Sequence, residues 1–101
     1  MKSATQESFG TSCSLLERVK ANVPEAWRQL TMLYGPLVYH WCRKSGLNAD
    51  DAADIVQDVF RTLVVHIPSF RREREGQTFR GWLWTITRSR LNDHYQRRKG
   101  Q

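Results

Sequence analysis

Cysteine, proline and glycine are scarce in this chain: two, three and six among 101 residues. Two cysteines, Cys13 and Cys42, cannot staple a disulfide scaffold, and without a secretion signal they read as reduced thiols. The N-terminal segment MKSATQESFG has no apolar core of the kind export requires. No run approaches the ~20 apolar residues that a membrane span needs. Alternating strand patterns, internal repeats and low-complexity tracts are missing as well. So are the common chemical signatures: there is no glycine-rich phosphate loop, no HExxH and no nucleophile elbow. His40, His66 and His94 lie far apart, and none stands at zinc-ligand spacing from a cysteine. Asp93-His94-Tyr95 could suggest acid–base chemistry, but neighbours on a helix point in different directions, so at most two of them converge. The expectation is a cytoplasmic domain that is not an enzyme and uses neither metal nor cofactor.

What is present fits one small globular domain. Hydrophobic residues make up 40% and charged residues 26%, inside the globular range. A chain of this length supports a single modest core. Its formal charge of +6 is unevenly placed. Residues 1–69 carry seven basic and seven acidic side chains and are neutral. Residues 70–101 carry nine basic against three acidic, and eight of those nine cations are arginine. The planar guanidinium fork pairs with phosphate and stacks on bases in a way that lysine does not. An arginine block interleaved with Trp, Phe and Tyr therefore points to a nucleic-acid partner, although Arg97-Arg98-Lys99 alone reads equally well as a solvated tail.

The periodicity is helical throughout. Residues 1–11 read as a disordered tail. Ser12 or Ser14 can cap a short helix carrying Leu15, Leu16 and Val19, which Asn22-Val23 interrupts. Pro24 suits the first position of the next helix. There Trp27, Leu30, Leu33 and Tyr34 form an apolar stripe. Gly35-Pro36 should kink or break it, since proline removes a donor and clashes with the preceding turn. The pattern resumes at Leu37, Val38 and Trp41 and stops at Ser45-Gly46, a glycine cap. Asn48 with Asp51 is a capping arrangement that opens a helix over about 49–66. Along it Ala52, Val56, Val59, Phe60 and Leu63 share one side, and Asp54, Gln57, Asp58 and Arg61 share the other. Pro68 ends that helix, and residues 69–77 form a charged loop.

Thr78 can cap a last helix that runs to about residue 98 with two apolar stripes. Phe79, Trp82, Leu83 and Ile86 should enter the core. Trp84, Arg88, Leu91 and Tyr95 follow at spacings of four, three and four. This second side either packs on a neighbouring helix or, with Arg97, Arg98 and the loop arginines, offers cations and ring faces to exposed bases. Arg90 and Asp93 are placed to pair with each other. The fold class expected is all-α: three principal helices in a compact bundle, with a short extra helix in front.

Three motifs occur in order: Asp51-Ala-Ala-Asp-Ile-Val-Gln-Asp-Val-Phe60, then Ser69-Phe-Arg71, then Thr78-Phe-Arg-Gly-Trp-Leu-Trp-Thr-Ile86. Over roughly residues 12–98 the chain resembles region 2 of bacterial sigma factors, of the extracytoplasmic-function (ECF) type in the sigma-70 family. The resemblance implies a transcription-initiation subunit of the bacterial cytoplasm, associated with the nucleoid. It implies docking on the β′ coiled coil of RNA polymerase core through Asp54, Gln57 and Asp58. Arg61 shares that side by spacing alone, and without the resemblance such a polar run would be an ordinary solvated face. It further implies that a melted promoter −10 element is held as a single strand, with one base flipped between the loop and the last helix. Phe70, Arg71, Arg72, Arg74 and Gln77 match the loop, and Arg88, Ser89, Asn92 and Asp93 match the helix surface. Arg97 extends this DNA-binding set by charge. Base extrusion costs a few kcal/mol, which a snug pocket, stacking and backbone contacts would return.

Three features depart from the family pattern. Ser89 stands where Asn is frequent, and one hydroxyl cannot make an amide's bidentate base contact. Glu73 and Glu75 repel phosphate, so part of the loop must turn away from the strand. No helix-turn-helix reader of the −35 element is recognisable. Residues 99–101 read as the start of a linker, so the chain is either a fragment or works with a separate −35 reader. The rival reading is a basic interaction domain that binds an acidic protein partner such as an anti-sigma factor.

Overall fold

The computed structural model describes residues 13–70 and 78–99, with the side chains of residues 13, 98 and 99 left aside. Four α-helices and one 3₁₀ turn make up the described residues, without a strand: α1 Cys13–Lys20, α2 Pro24–Lys44, α3 Ala49–His66, the turn Ile67–Ser69, and α4 Phe79–Lys99. The all-α bundle expected from periodicity is what forms. The expected tail over 1–11, the cap at Ser12, the loop over 71–77 and the linker after residue 99 lie outside the described residues.

Local signals explain most boundaries. Ser14 lies inside α1 and not at its cap. Asn22 closes the turn after α1 with φ 62°, a left-handed conformation that asparagine tolerates better than most residues. Pro24 occupies the first turn of α2 behind Val23, which offers no side-chain cap. At the far end of α2 the chain reverses through Ser45 and Gly46, whose φ of +102° suits glycine. The Asn48 side chain accepts a hydrogen bond from the Asp51 N–H at 2.8 Å, and Asp50 and Asp51 sit in the first turn of α3, where the helix dipole favours them. Thr78 Oγ1 accepts from the Gly81 N–H at 3.0 Å and opens α4.

One expectation is overturned here. α2 runs unbroken from Pro24 to Lys44 with Pro36 inside it. Pro36 is exposed, so the carbonyl one turn back that loses its N–H partner meets water, and packing on both sides holds the helix together.

The core is a slab shared by all four helices, from α1 (Leu15, Leu16, Val19) through α2 (Ala26, Leu30, Val38, Cys42) and α3 (Ala52, Ile55, Val59, Leu63) to α4 (Phe79, Leu83, Leu91). α3 is central and packs on both α2 and α4, while α1 covers α2. The buried stripe of α3 is turned slightly from the expected one: Ile55 is buried, whereas Val56 and Phe60 are only partly covered. Leu33 was expected in the core and is 61% exposed, because it lies about 80–100° round α2 from the buried line. Thr87 is fully buried and polar, and its hydroxyl is satisfied by donation to the Leu83 carbonyl at 2.9 Å.

Candidate nucleic-acid and protein interfaces

α4 has one inward and one outward arc. Phe79, Leu83, Thr87 and Leu91 point inward, and Trp82 and Ile86 flank them half-buried. Arg88, Ser89 and Asn92 are exposed and, at about 100° per residue, fall within one third of the helix circumference. Trp84 and Tyr95 border that arc and are 37% and 40% exposed. The second stripe therefore divides: Leu91 packs, Arg88 faces water, and the two aromatic rings do some of each. The Tyr95 hydroxyl donates to the Ser45 carbonyl and ties the end of α4 to the α2–α3 turn.

The rings form two groups. Phe70 stacks on Trp82 at 4.7 Å and 26° and meets the edge of Phe79, which in turn meets Tyr34. Phe70 is 2% exposed, so its ring belongs to the bundle wall and not to the outer surface. Trp41 of α2 meets Trp84 of α4 edge-on at 5.1 Å. Beside this pair, Thr78, Arg80 and Gly81 complete a cleft of about 460 Å³. Its make-up of two indole rings and one guanidinium suits a flat, negatively charged ligand.

The polar side of α3 stands outside the core as expected. Asp54, Gln57 and Arg61 are exposed and Asp58 is half-exposed, with a 3.8 Å ion pair between Asp58 and Arg61. Sequence reading did not anticipate what α4 adds here. His94 Nε2 lies 3.7 Å from Asp51 Oδ2. His94 and Arg97 of α4 line a 370 Å³ cleft together with Asp51, Asp54, Asp58 and Arg61 of α3. Arg97 is nine positions from Arg88, about half a helical circumference away. The bundle thus brings Arg88, Ser89 and Asn92 together but places Arg97 beside the carboxylates of α3. The signal for this was available in the spacing and was masked by the uniform charge of the C-terminal run. Arg71, Arg72, Arg74 and Gln77 lie outside the described residues.

Arg90 and Asp93 pair at 2.9 Å as expected, while the buried Nε of Arg90 has no hydrogen-bond partner. Among the described residues no group of three His, Cys, Asp or Glu is arranged to hold a metal ion, and no helix is long and apolar enough to cross a membrane.

The comparison with curated proteins finds no match for this chain. The family model for Sigma-70 region 2 matches residues 30–101, which take in most of α2 and all of α3 and α4. Within that match α3 exposes an acidic stripe and α4 an arginine-bearing outer arc, and the chain belongs to the sigma-70 family as a region 2 domain.

Proposed function

We propose that this chain is an ECF-type sigma region 2 that docks on the β′ coiled coil through α3 and holds one unpaired strand of the −10 element on α4. Region 2 of the sigma-70 family binds RNA polymerase and recognises the promoter −10 element in general; the subtype and the residues are the present proposal. Asp54, Gln57, Asp58 and Arg61 contact the polymerase. Arg88, Ser89 and Asn92, with Arg71, Arg72, Arg74 and Gln77 contributed from outside the described residues, contact the strand. The observation that carries this reading is the separation of the polar, acidic side of α3 from the Arg88–Ser89–Asn92 arc of α4 on one shared core.

The chemistry is binding and not catalysis. Stacking contributes about 1–3 kcal/mol per base, and guanidinium–phosphate pairs add a term that weakens as counterions compete. Trp84, Trp41 and Arg80 supply both kinds of contact in the cleft between α2 and α4. Capture of the open strand then favours melting without nucleotide hydrolysis. Buried Phe70 supports the strand site from within the bundle, through its stack on Trp82.

Titration with single-stranded −10 oligonucleotides at two salt concentrations, alongside capture of purified polymerase core, tests the proposal. Sequence preference, a steep salt dependence and core capture are expected. Indifference to base identity would overturn the strand assignment and favour the acidic-protein partner, an anti-sigma factor among the candidates.

A further inference from the structure

α1 lies before the residues that carry the family match, which begin at residue 30. It is nonetheless joined to the strand-facing end of the bundle. Lys20, the last residue of α1, donates from Nζ to the backbone carbonyl of Phe70 at 2.7 Å, across fifty positions of sequence. The same ammonium stands 6.0 Å from the centroid of the Phe70 ring. Phe70 is buried and stacked on Trp82, and it is the residue from which the arginine segment 71–77 departs. A charge-assisted bond to a part-buried carbonyl is among the stronger single contacts of so small a domain. In the last turn of α1 the carbonyls of Glu17, Arg18 and Val19 already accept the N–H groups of Ala21, Val23 and Asn22, and the Lys20 ammonium reaches the Phe70 carbonyl beyond its own helix.

We propose that Lys20 is a positioning residue for strand recognition: α1 is a strut that sets the carbonyl and ring of Phe70, and through them the surface that reads the base. This rests on the assignment of the strand site made above. It gives α1 a role in specificity, whereas a helix that merely covered the core would contribute to stability alone. It also assigns Lys20 no contact with phosphate, since its ammonium is already engaged inside the fold.

The test uses the 101-residue chain and its Lys20→Met and Lys20→Arg variants, with a −10 oligonucleotide and single-base substitutions of it. Lys20→Met is expected to reduce discrimination between the preferred and substituted oligonucleotides about tenfold. It should leave capture of polymerase core within about twofold, because the acidic side of α3 does not involve α1. The slope of log affinity against log salt should stay unchanged; loss of a phosphate contact would reduce it by about 0.7. Lys20→Arg, which keeps a donor and a charge, should restore most of the discrimination. Unchanged discrimination in Lys20→Met overturns the proposal, as does a fall in core capture that parallels it, which marks general unfolding. A reduced salt slope overturns it too, since Lys20 would then be a direct contact. If the wild-type chain itself shows no base preference, the strand assignment fails and this inference falls with it; preference in the wild type with no change in Lys20→Met removes the strut alone.

Discussion

Cys42 is fully buried on α2, and burial pushes its thiol up from 9.0 to about 11. Below pH 9 folded and unfolded chains both hold this proton. Between about 9 and 11 the unfolded chain releases it first, binds fewer protons, and stability falls as pH rises. Urea unfolding at pH 8 and pH 10.5 should show a larger drop for the wild type than for Cys42→Ala, and equal drops would refute the buried thiol. The aromatic residues grade in the same way. Phe79 is 1% exposed, so Phe79→Ala should cost about 3–5 kcal/mol. Trp82 was expected in the core yet is half-buried, packed on the core's edge and stacked on the Phe70 ring. Trp82→Ala should therefore cost less, about 2 kcal/mol. Equal losses of urea midpoint would show that the Phe70–Trp82 stack is sealed from water after all.

At the level of helices, capping and periodicity made much of the fold legible. Asn48 with Asp51 marked the start of α3, and the hydrogen bond is there. Asn48→Ala should remove about 1 kcal/mol of stability, measurable as a lower urea midpoint with unchanged helical signal; no change would mean that packing alone holds the first turn. Thr78 was legible in the same way. Pro36 was misread because the local rule counts a lost donor and a clash, while the outcome depends on where the freed carbonyl points. In an exposed position water accepts that role, and the core contacts of Leu30 and Val38 on either side keep the helix in line. Leu33 was expected in the apolar stripe and is exposed, while Ile55, assigned to neither side, is buried, for a related reason. An apolar stripe wide enough to be ambiguous is resolved by which neighbours arrive, and α3 meets both α2 and α4. The site shows the same division. Asp54, Gln57, Asp58 and Arg61 were readable from one helix alone, whereas the Lys20–Phe70 bond and the placement of Arg97 depend on contacts between helices distant in sequence.

Across the whole molecule, what matters is whether the two surfaces act independently. They share α4: its outer arc carries Arg88, Ser89 and Asn92, and its other side lends His94 and Arg97 to the acidic cleft of α3. Asp54→Arg with Asp58→Arg should abolish capture of polymerase core and leave thermal stability almost unchanged, since the two carboxylates lie outside the core. A large loss of stability would show that the stripe is structural. Arg88→Ala should do the reverse, weakening the oligonucleotide several-fold and lowering its salt slope while core capture persists. Arg97 separates the two geometries most sharply. Its charge belongs by sequence to the basic C-terminal run, but its position belongs to the carboxylates. If position governs, Arg97→Ala leaves the salt slope of oligonucleotide binding near the wild-type value and alters core capture, because the acidic cleft loses a cation that competes with basic groups of the polymerase. If charge governs, the slope falls as it does for Arg88→Ala and core capture is unmoved. Measured side by side on the same oligonucleotide and the same core preparation, the two arginines should fall into different classes; identical behaviour would mean that the strand wraps round the end of α4 and reaches the acidic side.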